Sequence, residues 1–347
     1  MKKTNKVILI GAIKEGQQPT CGETVKNQQF INRFNELFDK VITVDTYDWQ
    51  HRLWVLVKLF FVLLFNRGAK VVISASRAAS YLVSFLYYVP LKKSVYFWVV
   101  GGNLHLRVAE GLYNKKALSS LKSILVQGTS MVEKLAELGV NNALYVPNSK
   151  PIVYVPEIQS KSDNVYRFVF LSRVHPDKGI REIMEAAKTL CGMGLKDRFI
   201  VDFYGSIEPS FEAEFRTLIA QNDNTNYRGF LNLREVEGYK TLAQYDVMLF
   251  PTYWDGEGFP GVVLDAYMAA VPIIASDWSM NAEVVKDGQT GIIIPTHDTA
   301  ALAAAMKQII EGEVDVEQLR KNALAEAQRF DVKNVISEKL LKEIGLL

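Results

Sequence analysis

Cysteine is scarce in this 347-residue sequence, which contains only Cys21 and Cys191. Neither has a Cys or His neighbour at the spacing of zinc ligands, so no zinc site is expected. A disulfide would have to link two different domains. Two reduced thiols in a cytoplasmic protein are therefore the favoured interpretation.

An excess of charge of either sign is also missing. The 40 Lys and Arg residues and 38 Asp and Glu residues leave a net charge of +2. This is not the strongly basic charge that is typical of a nucleic-acid-binding protein. Hydrophobic residues make up 49% and charged residues 22% of the chain, which is typical of globular proteins and argues against disorder. The length suits two domains of about 150 residues each.

A hydrophobic run that would span a bilayer is absent as well. The most apolar segment, Leu53–Phe65, contains Lys58 and is shorter than the roughly 20 residues that a spanning helix needs. It predicts a helix packed on a sheet. The basic residues in and near this segment are Arg52, Lys58, Arg67 and Lys70. A helix that lies on a membrane surface, with these cations facing anionic headgroups, is compatible with the same pattern.

Short β-rich runs alternate with helical stretches along the whole chain. The strands predicted in the first half are Val7–Ile10, Lys40–Val44, Lys70–Ser74, Ser94–Val99, Ser123–Gln127 and Ala143–Val146. The strands predicted in the second half are Phe168–Leu171, Phe199–Tyr204, Val247–Phe250, Pro272–Ala275 and Gly291–Ile294. This alternation predicts parallel sheets covered by helices on both faces.

A proline-containing polar stretch, Pro147–Asp163, separates the two halves and predicts an interdomain linker. The fold expected is therefore α/β, with two doubly wound, Rossmann-like domains at 1–150 and 165–330 that face a central cleft. Ligands of such sheets bind beyond the carboxyl ends of the strands.

Two cations follow the first predicted strand of the second half. Arg173 and Lys178 lie in the loop after Phe168–Leu171, and a helix is predicted to begin at Ile180. Two positive side chains beside a helix N-terminus suit a diphosphate. Two solvated surface cations are an interpretation that the spacing leaves equally open.

A glycine-rich loop follows the strand Val247–Phe250, with Glu257 in the loop and Asp265 on the next helix. The glycines are Gly256, Gly258 and Gly261. Glycines allow the backbone to approach a ligand, and carboxylates accept hydrogen bonds from sugar hydroxyls. The structural alternatives are a helix cap for Glu257 and a first-turn acid favoured by the helix dipole for Asp265.

Together these residues resemble the retaining glycosyltransferases of family 4, which have the GT-B fold. The family carries an R-x4-K pair and an E-x7-E signature, and Arg173 with Lys178 and Glu257 with Asp265 stand at those spacings. Further similar segments are Tyr204-Gly205, Tyr227-Arg228-Gly229-Phe230, Val271–Ser276 and Glu283–Gly291. The resemblance covers residues 165 to 330 and is strongest to bacterial surface-polysaccharide enzymes.

The resemblance implies a role for each matching residue. As catalytic and donor-binding residues, Arg173 and Lys178 would hold the donor diphosphate and Glu257 would contact hydroxyls of the donor sugar. Asp265 would bind the ribose. The remaining donor-binding residues implied are Gly205, Gly258, and Phe259 and Gly261 through their backbone amides. The chain departs from the family in having Asp at the second acidic position and in having Pro260, which has no amide to donate.

The first domain resembles the family less. Gly22, between the first strand and a helix, corresponds to the glycine loop that family members use against the phosphates and the acceptor, and an ordinary turn glycine is the alternative. His105 comes slightly after the position of a family histidine that touches the donor sugar, and a surface or core histidine is the alternative. The fold also implies that an amphipathic C-terminal helix in 331–347 packs back on the first domain.

The reaction implied is the transfer of a hexose-type sugar from a UDP- or GDP-sugar with retention of configuration. No cofactor is expected, and no metal, because no Asp-x-Asp pair stands where a metal would be required. The acceptor implied is a saccharide, lipid-linked, in capsule, lipopolysaccharide or exopolysaccharide synthesis. The protein would then be cytoplasmic or peripheral at the inner face of a bacterial membrane. The alternatives are a non-catalytic nucleotide-sugar-binding protein and a GT-B nucleotide-sugar epimerase.

Overall fold

The structure is a computed structural model that describes residues 5–17, 21–52, 54–76, 78–89 and 94–347. The chain divides into two compact units. The N-terminal unit consists of Met1–Pro151 and Val332–Leu347, and the C-terminal unit of Ile152–Asp331. The division after Pro151 falls within the stretch that the sequence indicates as a linker.

The N-terminal unit is built on a six-stranded parallel sheet of order β2-β1-β3-β4-β5-β6. Its strands are β1 Lys6–Gly11, β2 Lys40–Asp45, β3 Lys70–Ser74, β4 Val95–Trp98, β5 Ser123–Val126 and β6 Ala143–Tyr145. Its helices up to this point are α1 Gly22–Leu37, α2 Trp54–Phe65, α3 Ala79–Tyr88, α4 Leu104–Ala109, α5 Lys115–Ser119 and α6 Thr129–Glu137. The strand order reverses between β1 and β3, which pair with each other.

The C-terminal unit has a second six-stranded parallel sheet, of order β12-β11-β10-β7-β8-β9. Its strands are β7 Tyr166–Leu171, β8 Phe199–Tyr204, β9 Thr225–Tyr227, β10 Val247–Phe250, β11 Ile273–Ser276 and β12 Gly291–Ile294. Its helices are α7 Ile180–Gly192, α8 Glu212–Ala220, α9 Val236–Leu242, α10 Gly261–Met268, α11 Asn281–Val284, α12 Thr299–Ile310 and α13 Val316–Ala327. The order reverses between β7 and β10, and such a switch point is where ligands of doubly wound sheets bind.

The end of the chain differs from the single helix predicted in 331–347. Two short helices are present, α14 Val332–Val335 and α15 Glu338–Glu343. The break occurs because Ser337 takes an extended conformation and caps α15, its side chain accepting from the backbone of Leu340. The segment packs within the N-terminal unit, where Tyr96 donates to the carbonyl of Gly345 at 2.6 Å.

The apolar segment predicted at Leu53–Phe65 is helix α2, although Leu53 itself lies outside the described residues. Val55, Leu59 and Leu63 form its buried stripe. Along the described chain, none of the helices combines the length and apolar character needed to cross a membrane.

Candidate functional site

The two loops that the sequence singles out follow the two strands at the switch point of the C-terminal sheet. One loop runs from the end of β7 to α7 and the other from the end of β10 to α10. Because β7 and β10 are parallel neighbours, both loops emerge at the carboxyl edge of the sheet. This topology brings together segments almost 80 residues apart in the sequence.

Lys178 and Glu257 meet at this edge and form an ion pair between Nζ and Oε2. Their side chains are only 9% and 13% exposed, so the pair is largely shielded from solvent. The hydroxyl of Thr252 lies 3.4 Å from the same carboxylate oxygen. The structure therefore joins one member of the basic pair to one member of the acidic signature.

Close packing of the two loops depends on Gly179. Its φ of +78° lies in the left-handed region, and a Cβ at this position would overlap the backbone carbonyl of Pro251 in the other loop. The backbone N–H of Tyr253 also donates to the carbonyl of Asp177 at 2.8 Å. Glycine at position 179 thus permits the approach that pairs Lys178 with Glu257.

Trp254 is a site residue that the sequence analysis missed. Three basic or titratable groups pack against its indole: the Arg173 guanidinium at 5.0 Å from the ring centroid, the Lys178 ammonium at 5.8 Å and the His175 ring at 4.7 Å. Cations held over an indole face are stabilised by its quadrupole. No spacing rule predicts a role for Trp254. Its position three residues before Glu257, in the same loop, could have indicated one.

Arg173 is more open than Lys178. Its side chain is 46% exposed and lies 3.7 Å from the carboxylate of Glu208. Arg173 therefore contacts Trp254, as Lys178 does, and remains accessible to solvent.

Asp265 lies on α10, is buried, and accepts a hydrogen bond from the phenol of Tyr239 at 2.7 Å. Burial first, and then the nearby Asp265 carboxylate, raise the pKa of Tyr239, so the phenol stays protonated and remains a donor. Tyr239, on α9, is a partner that the sequence analysis missed, because neither the helix nor this contact was predicted. Ribose binding by Asp265 stays a prediction.

The loop between Glu257 and α10 is held in place by packing and by a hydrogen bond. The Phe259 side chain is buried and packs edge-on against Phe330 at 5.5 Å. Gly258 lies directly before Phe259, and Gly261 begins α10, with Pro260 as its N-cap. The Ser279 hydroxyl donates to the carbonyl of Glu257 at 2.7 Å. These contacts order the backbone that would face a ligand.

Gly205 follows β8 and is required by packing. Its φ is +143°, and a Cβ would overlap the backbone carbonyl of Ser172. In the neighbouring predicted segment Tyr227–Phe230, Arg228 pairs with the buried carboxylate of Asp202 at 3.1 Å. Phe230 is 78% exposed. The backbone conformation and packing therefore explain a glycine at position 205, and a donor-binding role for Gly205 stays a prediction.

Gly22 and His105 belong to the N-terminal unit. Gly22 is the first residue of α1, and a Cβ there would meet no atom of the described residues within 4 Å, so their packing gives no reason for a glycine at this position. His105 is in the first turn of α4. Its Nδ1 is buried without a hydrogen-bond partner among the described residues. Burial, and then the charge of Lys134, lower the pKa of His105.

In the part of the chain that the structure describes, no group of three or more His, Cys, Asp or Glu side chains is arranged to hold a metal ion. The switch point of the C-terminal sheet brings together charged side chains of both signs. Two cations, one carboxylate beside them and a second, buried carboxylate suit a polyanionic ligand that also carries hydroxyl groups.

Comparison with known proteins finds relatives mainly for the C-terminal unit. Residues 155–326 match the family model described as "Glycosyl transferases group 1". An amylovoran biosynthesis glycosyltransferase of Erwinia amylovora is 29% identical over 157 residues, which are 43% of this chain and 37% of the relative. A capsular polysaccharide biosynthesis glycosyltransferase of Staphylococcus aureus is 25% identical over 50% of this chain and 43% of the relative. The matched region thus spans well under half the length of these curated relatives.

Similar solved structures extend over nearly the whole chain. A sucrose-phosphate synthase from Thermosynechococcus elongatus aligns with a TM-score of 0.74 over 98% of this chain and 99% of its own, at 15% identity. An Anabaena protein, HepE in complex with UDP, aligns with a TM-score of 0.71 over 99% and 100%, at 14% identity. At such identities the likeness concerns the fold, and it confirms the prediction of the GT-B type.

Proposed function

Because this chain belongs, through residues 155–326, to the family of glycosyl transferases group 1, we propose that it transfers a sugar from a nucleotide-sugar to a saccharide acceptor. The pathway proposed is bacterial surface-polysaccharide synthesis, in line with the names of the relatives from Erwinia amylovora and Staphylococcus aureus. The donor proposed is a UDP- or GDP-linked hexose.

The observation that carries this proposal is the meeting of Lys178 with Glu257, with Arg173 on the same indole. A nucleotide-sugar presents a diphosphate and a hydroxylated ring a few ångströms apart. Lys178 and Arg173 supply positive donors for the diphosphate, and Glu257 supplies acceptors for sugar hydroxyls. The three groups lie at the carboxyl edge of the sheet, at its switch point, where α/β proteins bind ligands.

In the proposed reaction the bond between the anomeric carbon and the diphosphate oxygen breaks, and both electrons leave with the diphosphate. The acceptor hydroxyl oxygen bonds to the same face of the sugar, which retains the configuration, and its proton passes to the departing phosphate oxygen. Negative charge grows on the diphosphate as the bond breaks. Lys178 and Arg173 lower the barrier because they interact with that charge more strongly than with the ground state. No side chain is assigned as a nucleophile, and no metal or cofactor is assigned.

The acceptor proposed is a lipid-linked saccharide, which places the protein at the inner face of the membrane. An apolar stripe on the solvent side of α2 supports this part of the proposal. Its members are Trp54, Val57, Phe61 and Phe65, each at least 49% exposed. Arg52, Lys58 and Arg67 lie in or beside the helix. Exposed apolar surface next to cations suits a membrane with anionic headgroups.

The transfer proposal is tested by incubating the full chain with labelled UDP- and GDP-sugars and a panel of lipid-linked saccharides. Transfer to an acceptor supports the proposal. Binding without turnover, or conversion of the donor into an epimer, would replace it with one of the two alternatives. The anomeric configuration of the product, read by NMR couplings, decides between retention and inversion.

The membrane part is tested separately by sedimentation with vesicles. We expect binding to vesicles that contain phosphatidylglycerol and weaker binding to pure phosphatidylcholine. The triple variant Arg52→Gln, Lys58→Gln, Arg67→Gln should lose most of the difference, and Phe61→Ser with Phe65→Ser should weaken binding to both. Unchanged binding by both sets of variants would remove the membrane surface from the proposal.

A further inference from the structure

Lys26, on the second turn of α1, is a buried lysine that the donor site does not use. It is only 7% exposed. Its Nζ donates to the backbone carbonyl of Val99 at 3.4 Å and lies 5.5 Å from the centroid of the Phe30 ring. An ammonium has three donors, so a single long bond to a neutral carbonyl leaves most of its hydrogen-bonding capacity without a strong acceptor.

No carboxylate compensates this charge. Among the residues that the structure describes, Lys26 takes part in no ion pair, since its one polar contact is the Val99 carbonyl. The residues outside the description contain no Asp or Glu in the sequence. Burial alone lowers the pKa of Lys26 to about 7. Burying a lysine without an anion is unfavourable and is rare where it serves only the fold.

The ammonium lies at the ligand-binding edge of the N-terminal sheet. Val99 directly follows β4, so the contact with its carbonyl places Nζ at the carboxyl ends of the parallel strands. The sheet's order reverses between β1 and β3, and α1 follows β1. Asn27, the residue after Lys26, bridges these two strand ends by donating to the carbonyls of Ala12 and Ser74 at 2.9 and 3.0 Å. Lys26 is therefore held beside the switch point of its own sheet.

The loop after β4 leaves its backbone uncovered at one point. Gly101 has a φ of +97°, and no atom of the described residues lies within 4 Å of where its Cβ would be. Further along, His105 has a buried Nδ1 without a partner in the described chain. A second polar group in need of a partner thus follows the segment that Lys26 touches.

We propose that Lys26 binds a phosphate oxygen of a substrate at the carboxyl edge of the N-terminal sheet. The phosphate proposed is the one that links a saccharide acceptor to its lipid. The inference rests on the lipid-linked acceptor of the proposed function and goes beyond it, because it assigns a phosphate contact to a side chain for which the family resemblance implies no role. An arriving phosphate supplies the anion that the ammonium lacks in the free protein.

The test uses the full chain with 13C-labelled lysine, whose ε-methylene signals are followed by NMR. Lys26 is assigned by the signal that disappears in Lys26→Met. The probes are inorganic pyrophosphate, UDP and farnesyl phosphate, each titrated to millimolar concentration. We expect the Lys26 signal to stay in place with UDP, whose diphosphate the proposed function assigns to Lys178 and Arg173, and to move with farnesyl phosphate. Lys26→Met should weaken the affinity for that probe about 10-fold or more, as expected for a charged hydrogen bond.

The matched control is Lys116→Met, which removes an exposed lysine of α5 in the same unit and should leave every affinity unchanged. Lys26→Arg keeps the charge and should retain binding within a few-fold. If Lys26→Met does not fold, the signal is assigned by its loss in Lys26→Arg, and the titration of the wild-type signals still decides. A Lys26 signal that stays still with farnesyl phosphate, while UDP binds elsewhere on the protein, overturns this inference and leaves the proposed function intact. A Lys26 signal unmoved by all three probes overturns it as well.

Discussion

Replacing Lys178 by Met is the sharpest perturbation of the proposed site. Methionine keeps most of the side-chain length but removes the cation from its ion pair with Glu257. Both side chains are largely shielded from solvent, so the variant leaves a carboxylate without its partner. Breaking a buried pair in this way costs about 3–5 kcal/mol. The Thr252 hydroxyl remains near the carboxylate, so we expect a loss near the lower end, about 3 kcal/mol, in the free energy of unfolding.

The same variant should lose transfer activity for a different reason. In the proposed reaction Lys178 meets the charge that develops on the diphosphate. Removing one pre-positioned donor of this kind costs about 2.7–4 kcal/mol of transition-state stabilisation, which corresponds to about 100- to 1,000-fold in kcat. The assay is transfer of a labelled sugar at saturating donor and acceptor, with stability followed by urea denaturation of the same preparation.

The double variant Lys178→Met, Glu257→Gln separates the two effects. It removes the unpaired carboxylate charge, so most of the lost stability should return, while transfer should stay low. The control is Lys188→Met on the exposed face of α7, whose ion pair with Glu185 is 3.9 Å long and well solvated. The reasoning is refuted if Lys178→Met keeps its transfer rate within about threefold of the wild type, or if the double variant recovers transfer together with stability.

Three further results are expected. Gly205→Ala should lose about 1–3 kcal/mol of stability from its positive φ alone, with more from the overlap with Ser172, measured by urea denaturation. Trp254→Leu should weaken UDP or GDP binding about 2- to 30-fold in calorimetry because Arg173 loses its indole. Finally, wild type should gain stability over Lys26→Met as the pH rises from 7 to 9. In that window the unfolded lysine still holds a proton that the folded one has released.

Each of these results has an outcome that contradicts it. Gly192→Ala is the control for Gly205→Ala, because a Cβ at position 192 meets no atom of the described residues within 4 Å. Equal effects would show that neither the positive φ nor the overlap destabilises Gly205→Ala. Trp254→Leu with unchanged nucleotide affinity would remove the indole from the site. A flat difference between wild type and Lys26→Met from pH 7 to 9 would mean that Lys26 stays charged in the folded protein.

Most strands were predictable because each is a short run of buried aliphatic and aromatic residues, as in Phe199–Tyr204 and Val247–Phe250. Two elements could not be predicted from the pattern of apolar residues. The strand Thr225–Tyr227 is three residues long and has no apolar run, so only its pairing with β8 reveals it. The break between the two C-terminal helices depends on the Ser337 side chain, which caps the second helix. The spacing of apolar residues alone does not predict such a cap.

The residue types of the site were predictable, but their partners were not. Spacing along the chain indicated Arg173, Lys178 and Glu257, since each stands in a loop after a predicted strand. Which loops become neighbours depends on strand order, and the order in which β7 pairs with β10 is a tertiary property. Trp254 and Tyr239 were missed for that reason, because their importance lies in contacts made across loops and helices.

The ion pair between Lys178 and Glu257 joins a member of the R-x4-K pair to a member of the acidic signature. A buried ion pair contributes little net stability compared with an apolar replacement. The presence of this pair is therefore better explained by the position that Glu257 gives to the Lys178 ammonium. The carboxylate holds the ammonium at the switch point of the sheet while the site is free. A diphosphate that binds Lys178 would compete with Glu257 for the same three N–H donors. Under the proposed function, donor binding therefore releases Glu257 towards the sugar hydroxyls, so that both members of the ion pair act on the same ligand.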